Sequence, residues 1–361
     1  MSEEMNEEQN EQLDQAPGWD AIDEALKPIY GDQEPKHYGT LLPYSLGGQD
    51  PLDGISAYKS EQGGPHWHIV TYGFSELYTK ESENMEDSGF GFELTFRVAR
   101  SESEEEPPAW ALNLLQNMGR YVFGSGNIFK AGDYMDANGP ICLGADTLLT
   151  ALAFTHDPEL SPIETPNGRV EFIQMAGITG DELDAMMTWN TPGVLSAGAA
   201  HMPYYITDLS RSSLLDIQEV ADAVNTGLAE EGSSTGFLFV DTLDWMPSER
   251  KMFRKTPAKL TIGAKQADIV GKLLQGRILK GRTLRLLSQN IQVVFEPGDI
   301  AGCKEEESNI TITLNEQAAA EFTHKLVPKE GSVPILSVNI VLNIIKTLIR
   351  DREGSIVETI G

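Results

Sequence analysis

Hydrophobic residues recur at two different spacings in the first part of the chain. Trp19, Ile22, Leu26 and Ile29 follow one another at intervals of three or four residues, which predicts an amphipathic helix. In residues 90–98 apolar and polar side chains alternate strictly, which predicts a strand with one buried and one solvated face. Both kinds of element are therefore expected before residue 100.

Further elements are expected up to residue 230 from the same signals. Two prolines at 107 and 108 and an apolar face after them predict a helix that starts near Trp110. Thr179 and Glu182 form a possible capping box for a helix through Met187. The remaining expectations are strands over residues 66–74 and 170–178, a loop or edge over 44–58, and a helix marked by Leu214, Ile217, Val220, Val224 and Leu228.

The pattern changes after the stretch EEGSSTG at residues 230–236, which is typical of a linker. Strand-like apolar runs then follow at 237–240, 273–287, 291–295, 310–314 and 335–342, with one helix over 315–326. Strands and helices do not alternate strictly, which favours an α+β fold. We predict two mixed α/β domains, each with a mostly antiparallel or mixed sheet and flanking helices, at 18–230 and 231–361. Residues 1–17 are predicted to be a disordered acidic tail.

Charge narrows the range of partners. The chain of 361 residues has a formal net charge of −28, and residues 250–361 carry a net +5 against −33 for residues 1–249. Phosphate groups repel such a chain, so we expect no nucleic-acid and no membrane partner. The basic third could dock on the acidic part or hold an acidic partner. Two distant cysteines and an acidic start without an apolar run favour a cytoplasmic protein.

Catalytic motifs are scarce in the sequence. No GxGxxG, GxxxxGK[ST] or HExxH pattern occurs, so we expect a protein that is not an enzyme and has no cofactor. His66 and His68 share one face of a predicted strand and are weak candidates for a metal site. A polar network beneath the sheet is the other interpretation of this pair. Asp133 could cap a turn or accept hydrogen bonds from a partner.

A set of ordered sequence runs resembles the Suppressor of fused family. The runs are GGQDPLD at 47–53, HWH at 66–68, YGFSELY at 72–78, SGFGFELTFR at 88–97, RYVF at 120–123, and the pairs DP, TP and WN at 157, 165 and 189. A weaker similarity continues at GRILKGR, residues 276–282. The resemblance thus extends over most of the chain.

The resemblance implies a two-domain, non-enzymatic protein that binds another protein. Animal members of the family sequester Gli-type transcription factors by holding a short extended peptide between the two domains as an added strand. The peptide-contacting tyrosine and aspartate of the family correspond to Tyr121 and Asp133. The strand at 237–240 would form the opposite wall, through the partner-binding residues Phe237, Leu238, Phe239 and Val240.

The compact, acidic chain departs from the animal members and resembles bacterial ones, which are thought to be immunity proteins of polymorphic toxin systems. The first hypothesis is therefore an inhibitor that neutralises a cognate toxin by binding it. The alternative is a negative regulator that sequesters a transcription factor or a signalling protein through a linear peptide. A metal-dependent enzyme that uses His66 and His68 is the third hypothesis.

Overall fold

The structure of the chain, a computed structural model, describes residues 16–40, 48–248, 250–251, 254–306, 308–350 and 354–361. It divides into two compact units. The first unit extends to Leu183 and includes residues 195–220, and the second comprises residues 184–194 and 221–361. Most of the predicted tail at 1–17 lies outside the described residues, and a helix begins at Pro17.

The described residues form seven α-helices, two 3₁₀ turns and 21 strands. The helices are α1 (Pro17–Tyr30), α2 (Ala109–Ser125), α3 (Gly180–Thr188), α4 (Thr191–Gly198), α5 (Gln218–Glu231), α6 (Ala264–Ile278) and α7 (Glu316–Lys325), and the 3₁₀ turns are Pro203–Tyr205 and Leu214–Asp216. The strands of the first unit are β1 (Lys36–Gly39), β2 (Gly54–Ser60), β3 (His66–Tyr72), β4 (Asp87–Ala99), β5 (Tyr134–Asp136), β6 (Leu149–His156), β7 (Ile163–Thr165) and β8 (Gly168–Thr179).

The strands of the second unit are short and numerous. They are β9 (Phe237–Phe239), β10 (Leu243–Met246), β11 (Arg250–Lys251), β12 (Arg254–Lys255), β13 (Ala258–Gly263), β14 (Leu284–Leu287), β15 (Gln292–Pro297), β16 (Gly302–Glu306), β17 (Asn309–Leu314), β18 (Gly331–Ile335), β19 (Ile340–Ile345), β20 (Thr347–Arg350) and β21 (Ile356–Ile360). The mixture of helices and mixed sheets confirms the predicted α+β class.

One mixed sheet organises the first unit. Its strands lie in the order β1-β2-β3-β4-β8-β6-β5, and β7 also pairs with β8. The β4–β8 pair is parallel, and the other pairs are antiparallel. Helix α1 packs Ile22 and Leu26 against one face, while α2 packs Leu115 and Val122 against the other. The sheet is therefore covered on both faces, which explains its long runs of buried residues.

Strand β4 shows the effect of this double cover. Its apolar residues lie in the core beneath α2, as the alternation predicts. The prediction of a solvated second face is wrong, because Glu93, Thr95 and Arg97 are each 0% exposed. The alternation marks two chemically different buried faces, and the polar one lies in a network of hydrogen bonds described below.

The second unit has two larger sheets around one apolar core. One has the strand order β10-β13-β19-β18 and the other the order β16-β17-β15-β14-β9. Helices α6 and α7 bury Leu273, Leu274 and Phe322 in the core that both sheets share. Strand β9 is the terminal strand of its sheet and pairs in parallel with β14.

Several sequence expectations need correction. The predicted loop or edge over 44–58 is wrong for residues 54–58, which belong to β2, because Ile55 and Ala57 are buried in the core and β2 pairs with β1 and β3. Residues 44–47 lie outside the described part of the chain. Residues 273–278 belong to α6, so the predicted strand over 273–287 is restricted to β14. The run 335–342 is interrupted by a turn in which Asn339 has a positive φ. Helix α5 begins at Gln218 rather than at Leu214.

Candidate protein-binding surfaces

Tyr121 lies on the exposed side of α2, near the end of the helix. Its side chain is 39% exposed, and its ring stacks on Phe129 with centroids 5.6 Å apart. Phe129 in turn stacks on Phe154 of β6 at 4.1 Å with nearly parallel planes. This aromatic stack fixes the Tyr121 ring and leaves one side of it accessible to a partner.

Asp133 caps the turn that leads into β5. Its Oδ2 accepts a hydrogen bond from the Lys130 backbone N–H at 2.8 Å, and its backbone N–H donates to the Lys130 carbonyl at 3.0 Å. The Asp133 carbonyl accepts from the Phe154 N–H at 2.9 Å. The turn-capping interpretation of Asp133 is therefore confirmed, and its side chain is exposed, so the carboxylate can also accept a donor from outside.

Tyr121 and Asp133 are connected through shared neighbours in the first unit. The Phe129 ring stacks on both the Tyr121 ring and the Phe154 ring. The Phe154 N–H in turn donates a hydrogen bond to the Asp133 carbonyl. Strand β5 starts at the next residue and is the terminal strand of the large sheet. Terminal strands offer backbone groups to an incoming strand.

Strand β9 presents aromatic side chains at the terminus of the five-stranded sheet. Phe237 and Phe239 are 56% and 70% exposed, and their rings contact each other edge to face at 5.8 Å. Between them Leu238 is half-buried and packs on the core, and Val240 is buried. Successive side chains of a strand point to opposite faces, so this pattern has one anchoring and one exposed face.

The backbone of β9 has an unpaired side. The Gly236 carbonyl accepts from the Arg285 N–H at 3.0 Å, and the Val240 N–H donates to the Leu287 carbonyl at 2.8 Å. In a parallel pair alternate residues direct their backbone groups to the same neighbour. The N–H and C=O groups of Phe237 and Phe239 therefore point away from β14, where no described residue bonds to them.

The segment before β9 is anchored by hydrogen bonds to buried groups. Ser233 is 0% exposed, its N–H donates to the Gly276 carbonyl at 3.0 Å, and its hydroxyl donates to the Met187 carbonyl at 3.0 Å. Guanidinium groups of Arg277 and Arg282 donate to the Ser233 carbonyl at 2.9 and 3.1 Å. The predicted linker residues 232–236 are thus held firmly, and they fix where β9 begins.

His66 and His68 are both buried, and His68 belongs to a polar network on the face of the sheet that α1 covers. His68 Nδ1 lies 2.7 Å from the Tyr30 hydroxyl, and its Nε2 lies 3.1 Å from Asp157 Oδ2. Arg97 donates to Asp157 at 2.6 and 3.1 Å and to Glu159 at 2.7 Å. The network interpretation is confirmed for His68, whereas His66 is buried and bonds only to the Gly64 carbonyl among the described residues.

Burial and charge set the protonation states in this network. Burial lowers the pKa of His66 to about 4 and also lowers the pKa of His68, so both rings are neutral at pH 7. Burial opposes ionisation of Asp157, but hydrogen bonds from His68 and Arg97 and the charge of Arg97 hold the pKa of its carboxyl well below its usual range. The arrangement stabilises one Asp–Arg ion pair within the sheet.

The structure offers little support for a metal centre at these histidines. Within the part of the chain that is described, no three His, Cys, Asp or Glu side chains converge as metal ligands would. His66 Nδ1–H donates to the Gly64 carbonyl at 2.8 Å, and its Nε2 has no hydrogen-bond partner among the described residues. The absence of a metal or cofactor stays a prediction.

A family model described as Suppressor of fused protein (SUFU) matches residues 48–212. The Suppressor of fused homologs of Homo sapiens and Mus musculus are each 35% identical to the chain over 235 residues, which is 60% of this chain and 48% of each relative. The chain therefore spans about half the length of the curated relatives that it matches.

Two solved structures extend the comparison. The crystal structure of Drosophila Suppressor of Fused has a TM-score of 0.75 at 23% identity and covers 91% of this chain and 97% of that chain. The structure of a Sufu–Fu complex has a TM-score of 0.55 at 35% identity and covers 58% of this chain and 98% of that chain.

The fold defines the class of protein as a mixed α+β protein in which β5 and β9 are the terminal strands of two mixed sheets. The chain belongs to the Suppressor of fused family, as its sequence runs indicate. Helices long and apolar enough to cross a membrane do not occur among the described residues. Sequence reasoning missed two features: the exposure of Phe237 and Phe239 and the terminal position of β5, both of which depend on strand order.

Proposed function

We propose that the protein is a non-enzymatic inhibitor that binds a partner protein. In this proposal it is an immunity protein that neutralises a cognate toxin. The observation that supports binding is β9, which combines an unpaired backbone side with two exposed phenylalanines in one terminal strand. An extended partner segment gains main-chain hydrogen bonds by pairing with such a strand, and neighbouring side chains select its sequence.

Tyr121 and Asp133 form the second set of proposed partner contacts. The Tyr121 ring offers an accessible aromatic face, and the exposed Asp133 carboxylate offers a charged acceptor in a rigid turn. A hydrogen bond to a charged group contributes about 1.5–3 kcal/mol to binding. The solved Sufu–Fu complex shows that a relative of this chain takes part in a protein complex.

Charge supports a toxin as the partner. Residues 1–249 carry a net charge of −33, and an acidic inhibitor associates rapidly with a basic nuclease domain through long-range attraction. The test is co-expression of the protein with each candidate toxin domain in a toxin-sensitive strain. Growth rescue together with a stoichiometric complex would support the proposal, whereas unimpaired toxicity of every candidate would contradict the toxin role.

Four variants test which surface carries the binding. Phe237→Ser combined with Phe239→Ser should weaken partner binding at least tenfold, because it removes the exposed aromatic pair. Leu336→Ser is the matched control, since Leu336 is 79% exposed but lies in a turn distant in sequence from β9. Asp133→Asn removes the charge and keeps an oxygen that can cap the turn, and Tyr121→Ala removes the exposed aromatic face. Equal affinity of all variants would exclude both surfaces.

The alternative function is a negative regulator that sequesters a transcription factor or a signalling protein through a linear peptide. The same strand β9 supports it, because a short peptide can pair with a terminal strand without a folded domain. The two functions differ in the size of the minimal partner. A synthetic peptide that retains the full affinity of its parent protein would favour the regulator, and a requirement for a folded domain would favour the toxin inhibitor.

A further inference from the structure

A group of cations without carboxylate partners surrounds the start of β9. They are Arg277, Lys280, Arg282 and Arg285. Lys280 donates to the carbonyls of Ala229 and Glu230 at 2.7 and 3.1 Å, and the other hydrogen bonds of these side chains also go to backbone carbonyls. None of the four cations forms an ion pair with any described residue. In a chain with 55 acidic and 27 basic residues, such a group is unexpected.

The position of Arg285 relates this positive charge to the proposed binding strand. Arg285 of β14 is the direct register partner of Phe237 in β9, so the two side chains lie on the same face of the sheet. Arg285 is exposed. Arg277 lies close to the strand as well, because its guanidinium is 3.4 Å from the position that a Cβ on Gly236 would occupy.

The cations also affect one another. Partial burial and the nearby charge of Arg282 lower the pKa of Arg277. Guanidinium groups kept close together without an anion repel each other, and a carboxylate that binds between them relieves this repulsion. The same face carries Lys304, but that residue is paired with Glu306. On this face of the sheet Arg285, which lies beside β9, therefore has no carboxylate partner among the described residues, whereas Lys304 has one.

We propose that the segment that pairs with β9 is an acidic extended segment of the partner protein, with two apolar side chains two residues apart and a carboxylate at the end nearest Phe237. The apolar side chains would contact Phe237 and Phe239, and the carboxylate would bind the Arg285 guanidinium. Alternate residues of a strand share a face, so one segment can make both contacts. This inference rests on the proposed strand-pairing function and specifies the partner for it.

The test is a selection from a displayed library of random 12-residue peptides on the full chain. The peptides recovered should contain an acidic residue close to two apolar residues spaced by one position. Each peptide is then measured by fluorescence anisotropy on wild type, Arg285→Glu, Arg285→Lys and the control Lys304→Glu. We expect at least a tenfold loss for Arg285→Glu, near-normal affinity for Arg285→Lys, and no loss for Lys304→Glu.

The outcomes separate this inference from the function on which it rests. Peptides that lose affinity with Phe237→Ser but not with Arg285→Glu would overturn the acidic-segment proposal and leave strand pairing intact. Recovery of no peptide at all would contradict strand pairing itself and the inference with it. A synthetic peptide of residues 1–15, which contain six acidic residues and no Lys or Arg, is tested as a competitor. Competition by it would assign the cations to this chain's own terminal segment and would also overturn the proposal.

Discussion

Glu93 is a polar residue in the alternating apolar and polar sequence of β4, yet its carboxyl is completely buried. Glu93 is 0% exposed and accepts hydrogen bonds from Thr71, Gly73 and Ser75 at 2.6 to 2.9 Å. These bonds favour the ionised form, but burial outweighs them and raises its pKa to about 7. The carboxyl therefore accepts hydrogen bonds from the turn at residues 73–75 and is about half-protonated at pH 7.

The raised pKa predicts how Glu93 contributes to stability. Between about pH 4.5 and pH 7 the Glu93 carboxyl is ionised in the unfolded chain but still protonated in the folded chain. Its contribution to the free energy of unfolding therefore decreases as pH rises. Glu93→Gln cannot ionise and should remove that component. Urea unfolding from pH 5 to pH 8 measures it: the free-energy difference between wild type and variant should shift in favour of the variant as pH rises. A constant difference would contradict the assignment.

His66 acts in the opposite direction. Its lowered pKa of about 4 means that, between that value and about pH 6.5, the unfolded chain binds a proton that the folded chain does not. Its contribution is therefore present above pH 6.5 and is lost as pH falls. His66→Gln should reduce the decrease in unfolding free energy between pH 7 and pH 4. An unchanged decrease would show that His66 is not one of the groups responsible.

The Arg97–Asp157 pair gives a prediction at constant pH. Asp157→Asn leaves Arg97 buried with a weaker acceptor, and breaking a buried pair costs about 3–5 kcal/mol. Glu171→Gln is the matched control. The side chains of Arg169 and Glu171 are 47% and 31% exposed, so their ion pair should contribute at most about 1 kcal/mol to stability. Chemical denaturation followed by tryptophan fluorescence measures both. Equal costs for the two variants would contradict the structural importance of the network.

Strand β9 owes its position to the turn before it. Gly232 has φ +69°, and a Cβ there would lie 2.2 Å from the Gly276 carbonyl oxygen. Gly281 has the same φ, but a Cβ there would meet nothing within 4 Å. Both positions favour glycine, but only Gly232 also lacks room for a side chain.

This pair of glycines yields a controlled test of how β9 is held. Gly281→Ala should cost about 1 kcal/mol from backbone strain alone, whereas Gly232→Ala should cost more and should also weaken partner binding, because it displaces Ser233 and the strand that follows. Thermal unfolding and partner affinity are measured for both variants. A Gly232→Ala protein with the stability and affinity of Gly281→Ala would show that the turn does not position β9.

The elements also show what periodicity can and cannot reveal. The spacing of Trp19 to Ile29 correctly predicted α1, and alternation correctly predicted β4 as a strand. Periodicity could not show that both faces of β4 are covered, since that depends on where α1 and α2 pack. The predicted strand over 273–287 is wrong for residues 273–278, because Leu273, Leu274 and Ile278 belong to the buried face of α6 and short apolar groups do not distinguish a helix from a strand.

At the scale of the whole molecule, the sequence resemblance predicted the family correctly, and composition predicted an acidic chain with a basic last third. Tyr121, Asp133 and Phe237 to Val240 stay predicted partner contacts. Sequence alone could not show that β5 and β9 terminate their sheets, because strand order is set by contacts between residues distant in the chain. It also could not show that Arg285 has no carboxylate partner among the described residues.

The central claim is that the protein acts by binding another protein. The most direct measurement is purification of the tagged chain from its native cells, in parallel with the Phe237→Ser, Phe239→Ser double variant, followed by mass spectrometry. We predict one partner in stoichiometric amount with the wild-type chain and its loss with the double variant. Recovery of the chain without a partner, even after crosslinking, or equal recovery of the partner with both chains, would contradict this account.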